Sequence, residues 1–370
     1  MHDPGTSRRT LLKCALAGAT LPLLPACVTR PHAVPRLAPV RVSPDRVIRQ
    51  VAGLRPFRRS GFRVEAEMWD GKLVVHNYGH GGGGVSLSWG TAEQARALAL
   101  ASGHRSAAVL GCGAVGLATA RLLQDAGFAV TIYARDLPPH TTSNIAGAQW
   151  APVSVADPAA RAPGFDQRFV QASRLAHRHF QALAGTRYGI RWRDNYLLTD
   201  SPEPKLAWDW QLIADLLPLV PVDPREHPFP QRHVQRFLTM HIEPGVYLAQ
   251  LLADFRLAGG LVVVREFADR AAVVALPEPL VVNCTGLGAG RLCNDPDVAP
   301  VRGQLVVLAP QPEVDYITVG PRGLYMMPRE DGILLGGTYE PDTWSVEPDA
   351  VTGERLLAGH RQVFGAFRRG

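Results

Sequence analysis

Residues 107–133 constrain this chain more than any other stretch. Ala107-Ala108-Val109-Leu110 carries no polar side chain, the pattern of a short strand buried on both faces. It runs directly into Gly111-Cys112-Gly113-Ala114-Val115-Gly116. Helical character follows over residues 117–126, ending at Gly127, and then a second strand over residues 128–133. A Gly-x-Gly-x-x-Gly turn in that context has a specific physical use. Gly111 permits the tight turn, Gly113 lets backbone approach a pyrophosphate, and Gly116 lets helix and strand pack closely. The helix start, with Ala114 and Val115, offers unpaired N–H groups and a partial positive charge to phosphate oxygens. The unit therefore reads as a dinucleotide-binding α/β element. Which dinucleotide is open on these residues alone, because Arg135-Asp136 follows Ala134 where an acid would meet the ribose. Arg135 by itself would suit a 2′-phosphate.

Length and composition frame that unit. A chain of 370 residues with 46% hydrophobic and 19% charged residues can bury a core shared by two interleaved domains. Residues 244–257 (PGVYLAQLLADFRL) read as an amphipathic helix closed by Gly259-Gly260, with a strand at 261–264. Residues 280–286 (LVVNCTG) read as a buried strand ending in a small-residue turn, Cys284-Thr285-Gly286, a candidate to lie beside the dinucleotide. The formal charge of +6 is scattered over arginines without a basic run, so no nucleic-acid partner is expected. No Cys-x-x-Cys or His/Cys ligand spacing occurs, so neither a disulfide framework nor a metal is expected.

The N-terminus reads as a targeting segment over residues 1–27. Ser7-Arg8-Arg9-Thr10-Leu11-Leu12-Lys13 resembles the twin-arginine export signal, and the apolar run at 11–24 is too short to span a bilayer. Leu24-Pro25-Ala26-Cys27 resembles a lipoprotein processing site. Whether Cys27 becomes a membrane lipid anchor or the segment is simply cleaved stays open, because proline there is atypical. Residues 28–44 are Pro-rich without periodicity and read as an extended tether. The expected location is the bacterial periplasm or cell envelope, and export of a folded protein suits an enzyme that acquires its cofactor in the cytoplasm.

A second glycine block, VVHNYGHGGGGVSLSWGTA at residues 74–92, reads as a glycine loop opening a helix over residues 85–100. Glycines there allow positive φ and close approach to a flat ring. This block resembles the signature of the D-amino-acid oxidase family. So do three others: residues 53–65 (GLRPFRRSGFRVE), residues 134–152 (ARDLPPHTTSNIAGAQWAP), and the pair YMMPR at 325–329 with GGTY at 336–339. In that family the glycine block follows the nucleotide-binding motif; here it precedes it. The order looks circularly permuted, and residues 99–105 would be the link that joins the old C-terminal helix to the first nucleotide-binding strand.

The resemblance implies a Rossmann-like FAD-binding domain interleaved with an α+β substrate domain on a mixed or antiparallel sheet. Residues 45–104 would be the permuted segment and residues 105–165 the Rossmann unit. Residues 166–240 and 301–370 would form the substrate domain, and residues 241–300 the second part of the FAD-binding domain. FAD is the implied cofactor, with Thr141, Thr142 and Ser143 on phosphate and Arg135 and Asp136 nearby. Gly81, Gly82, Gly83, Gly84, Val85 and Ser86 would lie against the flavin, and Gly82 would also border the substrate. Arg55 would grip the substrate carboxylate through two charge-assisted hydrogen bonds, with Tyr325 and Tyr339 orienting it. The implied reaction is oxidative deamination of a D-amino acid to a 2-oxo acid, ammonia and hydrogen peroxide, without a protein base at Cα.

His76, His80, Tyr78, Arg58 and Arg63 are read as scaffold, and Asp315–Gly323 as a shortened lid. An acidic substrate would need a further cation, for which Arg329 and Arg322 are the candidates, whereas Ala151 and Val153 suggest an apolar pocket. A second reading keeps the fold but takes D-aspartate, glycine or an N-methyl amino acid, with a quinone in place of oxygen. A third is an FAD-binding lipoprotein without turnover.

Overall fold

The computed structural model describes residues 37–368. The export segment, Cys27 and the first part of the tether lie outside the described residues. In chain order the elements open with β1 (Val47–Arg58), β2 (Arg63–Trp69), β3 (Lys72–Tyr78), α1 (Ser88–Ala101), β4 (Ser106–Leu110), α2 (Ala114–Asp125) and β5 (Ala129–Ala134). Then come α3 (Thr142–Ile145), α4 (Phe165–Ala182), β6 (Ile190–Thr199), α5 (Trp208–Leu212), β7 (Val220–Val222), β8 (His233–Ile242), α6 (Pro244–Leu257), β9 (Leu261–Val264) and α7 (Arg270–Val274). The last are β10 (Leu280–Asn283), α8 (Gly288–Leu292), β11 (Val298–Leu308), β12 (Tyr316–Val319), β13 (Tyr325–Arg329), β14 (Gly332–Gly336), β15 (Glu340–Pro341) and α9 (Ala350–Gly365).

Two sheets share this chain. The smaller has the order β2-β3-β10-β4-β5-β9, parallel throughout except for the antiparallel β2–β3 pair. The larger runs β1-β11-β14-β13-β12-β6-β8-β7, with β15 on β11, and is antiparallel except where β12 lies parallel to β6. The chain crosses between them repeatedly, so the two domains are interleaved as the resemblance implied. Gly127, with φ +85°, ends the α2 segment; Gly259, with φ +83°, ends the α6 segment. Both match the expected stops, because a left-handed residue after the last turn satisfies helix carbonyls and only glycine adopts it without cost.

Period-two alternation decides what each sheet face meets. In the smaller sheet, Ala107 and Val109 join the core under α1, α2, α4 and α6, whereas Ala108 and Leu110 pack on the opposite side with Trp69, Phe267 and Val273. In the larger sheet, Val306, Leu308, Met326 and Leu335 face α9. Their neighbours Leu305, Val307, Met327 and Leu334 point the other way, with Val51, Ile145 and Tyr325 beside them.

Three expectations are corrected here. Residues 37–42 are not a free tether: Val40 is buried, and Leu37, Ala38 and Val42 pack with the cluster under α9. Tyr316 donates to Ala38 O (2.7 Å), Gln311 Nε2 donates to Pro39 O (2.8 Å), and Arg41 N–H donates to Gln311 Oε1 (3.0 Å). A Pro-rich stretch keeps its carbonyl acceptors, and these dock it without any regular structure. Asp315–Gly323 is mostly no lid, since Tyr316–Val319 is the buried strand β12 between β6 and β13. GGTY is not one strand: β14 ends at Gly336, the backbone turns at Gly337 (φ +143°), and pairing resumes with β11 only at Glu340.

Candidate active site

The Gly111 turn is dictated by contact. A Cβ on Gly111 (φ +110°) would stand 2.5 Å from Cys284 O, and one on Gly116 would stand 2.1 Å from Gly111 O. Only glycine lets β4, α2 and the turn after β10 meet this closely. Gly113 is the N-cap of α2, and its outer side meets only Ser143 Oγ, 3.1 Å from an ideal Cβ. Ala114 N–H donates to that same Ser143 Oγ at 3.0 Å. Two motifs 29 residues apart thus converge at the positive end of a 12-residue helix. Cys284 N–H continues the ladder to Leu110 O (2.9 Å), and Gly286 (φ +58°) turns the chain away. Thr285 Oγ and Thr285 N–H both donate to Asn283 Oδ1 (2.7 and 3.2 Å), and the Thr285 carbonyl accepts from Gly288 N–H (3.0 Å).

The other predicted phosphate residues are distributed unequally. Thr141 is buried and hydrogen-bonded to Asn144 Oδ1 (2.8 Å), while Thr142 is exposed at the start of α3. Arg135 pairs with Asp136 at 2.7 Å and lies 3.7 Å from Glu266. An arginine already flanked by two carboxylates is poorly prepared to bind a 2′-phosphate, which weakens the alternative that Arg135 alone had raised.

The second glycine block departs from expectation in its detail. The helix α1 begins at Ser88, not at residue 85, and a short 3-10 turn over Gly81–Gly83 precedes it. Val85 and Ser86 are buried, and the Ser86 hydroxyl donates to Gly83 O (3.4 Å). Gly81 and Gly83 are buried too, whereas Gly82 is exposed and Gly84 half-buried. His80 is fully enclosed, sharing a hydrogen bond with Thr91 Oγ (2.9 Å), and burial pushes its pKa down to about 3. His76 pairs with Glu67 (3.0 Å), and burial holds it near 4. Tyr78 donates to Asp295 (2.8 Å), Arg58 pairs with Asp295 (2.9 Å), and Arg63 reaches Tyr78 and Glu67. All five are scaffold.

On the larger sheet, odd-numbered positions of β1, β11 and β13 share one face with the even positions of β14. Arg55 lies across Gly303 of β11: a Cβ there would stand 2.6 Å from Nη2 and 2.8 Å from Cζ. Tyr325 lies likewise across Gly336, where a Cβ would stand 2.1 Å from its Cζ. Burial raises the Tyr325 hydroxyl's pKa, and the neighbouring Arg55 guanidinium draws it back down. Tyr339, 54% exposed, feels the same two influences, with Asp157 adding to the first. The structure therefore brings Arg55 and Tyr325 together from separate stretches of chain and leaves Tyr339 within reach of the Arg55 charge. Arg329 is not available as a further cation: it pairs with Asp331 (2.8 Å), donates to Ala146 O (3.3 Å) and lies 4.0 Å from the buried Glu243. Arg322 sits in the exposed turn after β12, with φ +59°.

Sequence reasoning missed the supporting shell. Gly303 and Gly336 matter through their cross-strand partners, and Gly147 lies where a Cβ would meet Met327 Sδ at 2.5 Å. Thr338 accepts from Gln304 N–H (2.7 Å), locking the break after Gly337. Gly147 and Gly336 stood within the family-like blocks, but the long-range partners had no local signal.

A family profile described as FAD dependent oxidoreductase matches residues 106–369. The chain belongs to that family. The match begins at Ser106, the first residue of β4, so β1–β3 and α1 lie outside it. D-amino-acid oxidase of Rubrobacter xylanophilus is 34% identical over 258 residues, covering 68% of this chain and 74% of that protein. D-amino-acid oxidase of Streptomyces coelicolor is 33% identical over 267 residues, covering 70% and 78%. In fold the chain is similar to glycine oxidase from Geobacillus kaustophilus, with a TM-score of 0.52 at 16% identity over 71% of this chain and 80% of that one.

The cofactor of this FAD-dependent oxidoreductase is FAD, and the residues fit it. A pyrophosphate would be held at the Gly113 N-cap of α2, where the only near neighbour of an ideal Cβ is Ser143 Oγ.

Proposed function

We propose that this FAD-dependent oxidoreductase oxidises D-amino acids to 2-oxo acids, with ammonia and hydrogen peroxide as the other products. The observation that carries this reading is the convergence of Arg55 and Tyr325 on one sheet face, with Tyr339, in the break after β14, close enough to feel the Arg55 charge. A planar guanidinium bordered by two phenol hydroxyls is a site for a carboxylate, and Arg55 rests on a glycine that lets it lie flat. Arg55 binds the carboxylate by two parallel hydrogen bonds. Tyr325, kept protonated by burial, donates a third, and Tyr339 closes the solvent side. The apolar surface of Met327, Leu305, Leu334 and Ile145 excludes water from the other flank. Bound FAD would supply the two-electron acceptor for the Cα hydride, with oxygen as the final oxidant and water hydrolysing the imino acid to the 2-oxo acid and ammonia. The protein contributes orientation rather than a base at Cα.

The segment order is proposed as a circular permutation. In its support, β3 lies parallel beside β10 within the nucleotide-binding sheet although it precedes β4, and residues 102–105 are the whole connection between α1 and β4. Export by the twin-arginine route, to the bacterial envelope with Cys27 as an anchor, belongs to the same proposal and rests on residues 7–27 alone.

The test is anaerobic mixing of signal-less protein with D-alanine and, separately, L-alanine, following the yellow flavin absorbance. Bleaching by the D-isomer alone, reversed by air with release of peroxide, is expected. Bleaching reversed only by a quinone would reassign the acceptor, and a yellow protein that no D-amino acid bleaches would overturn the proposal.

A further inference from the structure

Asp209 is a carboxylate in an unusual position. It is 1% exposed, and no ion pair reaches it among the described residues. It lies in the short α5 between Trp208 and Trp210, and both indoles are packed. Trp208 lies against Phe165 and Phe169 (ring centroids 6.2 and 5.6 Å), and Trp210 against Phe237 (4.9 Å). A buried charge without a counter-ion persists only where hydrogen bonds replace its hydration. Here they come from backbone: Ser154 N–H donates to Oδ2 at 2.7 Å and Trp210 N–H to Oδ1 at 2.9 Å.

Ser154 is itself exceptional, with φ +57°, a left-handed conformation that a non-glycine residue holds only when its surroundings impose it. Its carbonyl accepts Gly82 N–H at 3.0 Å. The strip Val153–Val155 is the floor of the second glycine loop. An ideal Cβ on Gly81 would stand 2.4 Å from Ser154 O, one on Gly82 2.6 Å from Val153 O, and one on Gly83 2.6 Å from Val155 Cγ1. The loop and its floor fit with no slack, so a small shift in the floor displaces the loop.

We propose that Asp209 is a positioning residue for the flavin-binding loop, acting from the interior through the Ser154 turn onto Gly81–Gly83. Its fixed carboxylate holds Ser154 N–H, this imposes the left-handed turn, and the turn presents the carbonyl that seats Gly82. The inference rests on the reading of residues 79–84 as the flavin loop. It does not depend on the substrate, so it is tested on FAD binding alone.

The experiment titrates apoprotein with FAD by quenching of flavin fluorescence, for the wild type, Asp209→Asn, Asp209→Glu and the double variant Asp209→Asn/Ser154→Gly. The asparagine keeps the shape but loses the charge and turns an amide donor toward one of the two N–H groups. FAD binding is expected to weaken tenfold or more, with altered visible bands in the bound flavin. Glycine at 154 adopts φ +57° unaided, so the double variant should recover most of that loss. The melting temperature of each apoprotein is measured alongside, because a merely stabilising role would lower it without changing the bound-flavin spectrum. If Asp209→Asn does not fold, Asp209→Glu, which keeps the charge and moves it by one methylene, is read against the same criteria. Wild-type FAD affinity in a folded Asp209 variant, or a double variant as weak as the single one, would overturn the proposal.

Discussion

Replacing Gly303 by alanine separates positioning of the substrate anchor from stability of the fold. The new methyl would stand 2.6 Å from Arg55 Nη2, where ordinary contact begins at 3.4 Å, so the guanidinium must retreat by roughly 0.8 Å. The neighbour in the way is the far end of a flexible side chain, so the strand itself need not move. Gly303 sits within β11 opposite Gly53, and its backbone lies outside the left-handed region, so alanine fits the strand conformation. Relative to glycine it reduces the freedom of the unfolded chain, an effect of about 0.4–1 kcal/mol in favour of folding. Activity should move the other way. Losing one charge-assisted hydrogen bond of a bidentate pair costs about 1.5–3 kcal/mol, roughly 10–150-fold in kcat/KM. Oxygen uptake with D-alanine measures the activity, and FAD content and melting temperature control for folding. A Gly303→Ala enzyme within threefold of wild type would refute the assignment of Arg55 as anchor. So would a loss of activity that tracks a fall in melting temperature.

Tyr325→Phe should lower kcat/KM by about 5–50-fold by removing a buried hydroxyl beside Arg55, whereas Tyr339→Phe, at a side chain 54% exposed, should cost less; equal effects would contradict the inner and outer roles given to them. Stability should fall steeply with acid, because burial holds His80 and His241 near about 3 and His76 and His360 near about 4, all below 6.5. The unfolded chain then binds more protons between about pH 4 and 6.5, so the contribution is complete above 6.5 and is lost as pH falls, at up to ~1.4 kcal/mol per pH unit for each histidine. Glu243, raised by burial to about 7, acts in the opposite sense and offsets one of the four. Urea midpoints that stay constant from pH 7 to 4.5 would show that these histidines are not buried neutral.

Local chemistry determined much of this protein before any folding. The strand–glycine turn–helix–strand unit, the helix at Pro244–Leu257 and the strand at Leu261–Val264 were all legible. Each is set by side-chain periodicity and by glycines whose φ belongs to a turn, properties of a few consecutive residues. The motif residues Arg55, Tyr325, Tyr339, Ser143 and Gly113 could also be named, because their blocks are distinctive as strings.

The tertiary structure decided what those strings meet. A Pro-rich segment looked like a tether until Tyr316 and Gln311 supplied donors for its carbonyls from more than 270 residues away. Asp315–Gly323 looked like a shortened lid because it stands where the family it resembles has one, just before the YMMP strand, yet pairing on both sides makes its middle a core strand. Asp209 carried no signal at all, since its importance lies in a hydrogen bond to a residue 55 positions earlier. Periodicity records whether a side chain turns inward; it cannot record which backbone, on which other element, waits there. That pairing is settled only when both sheets close, and it lays Arg55 over Gly303 and seats Gly82 on Ser154.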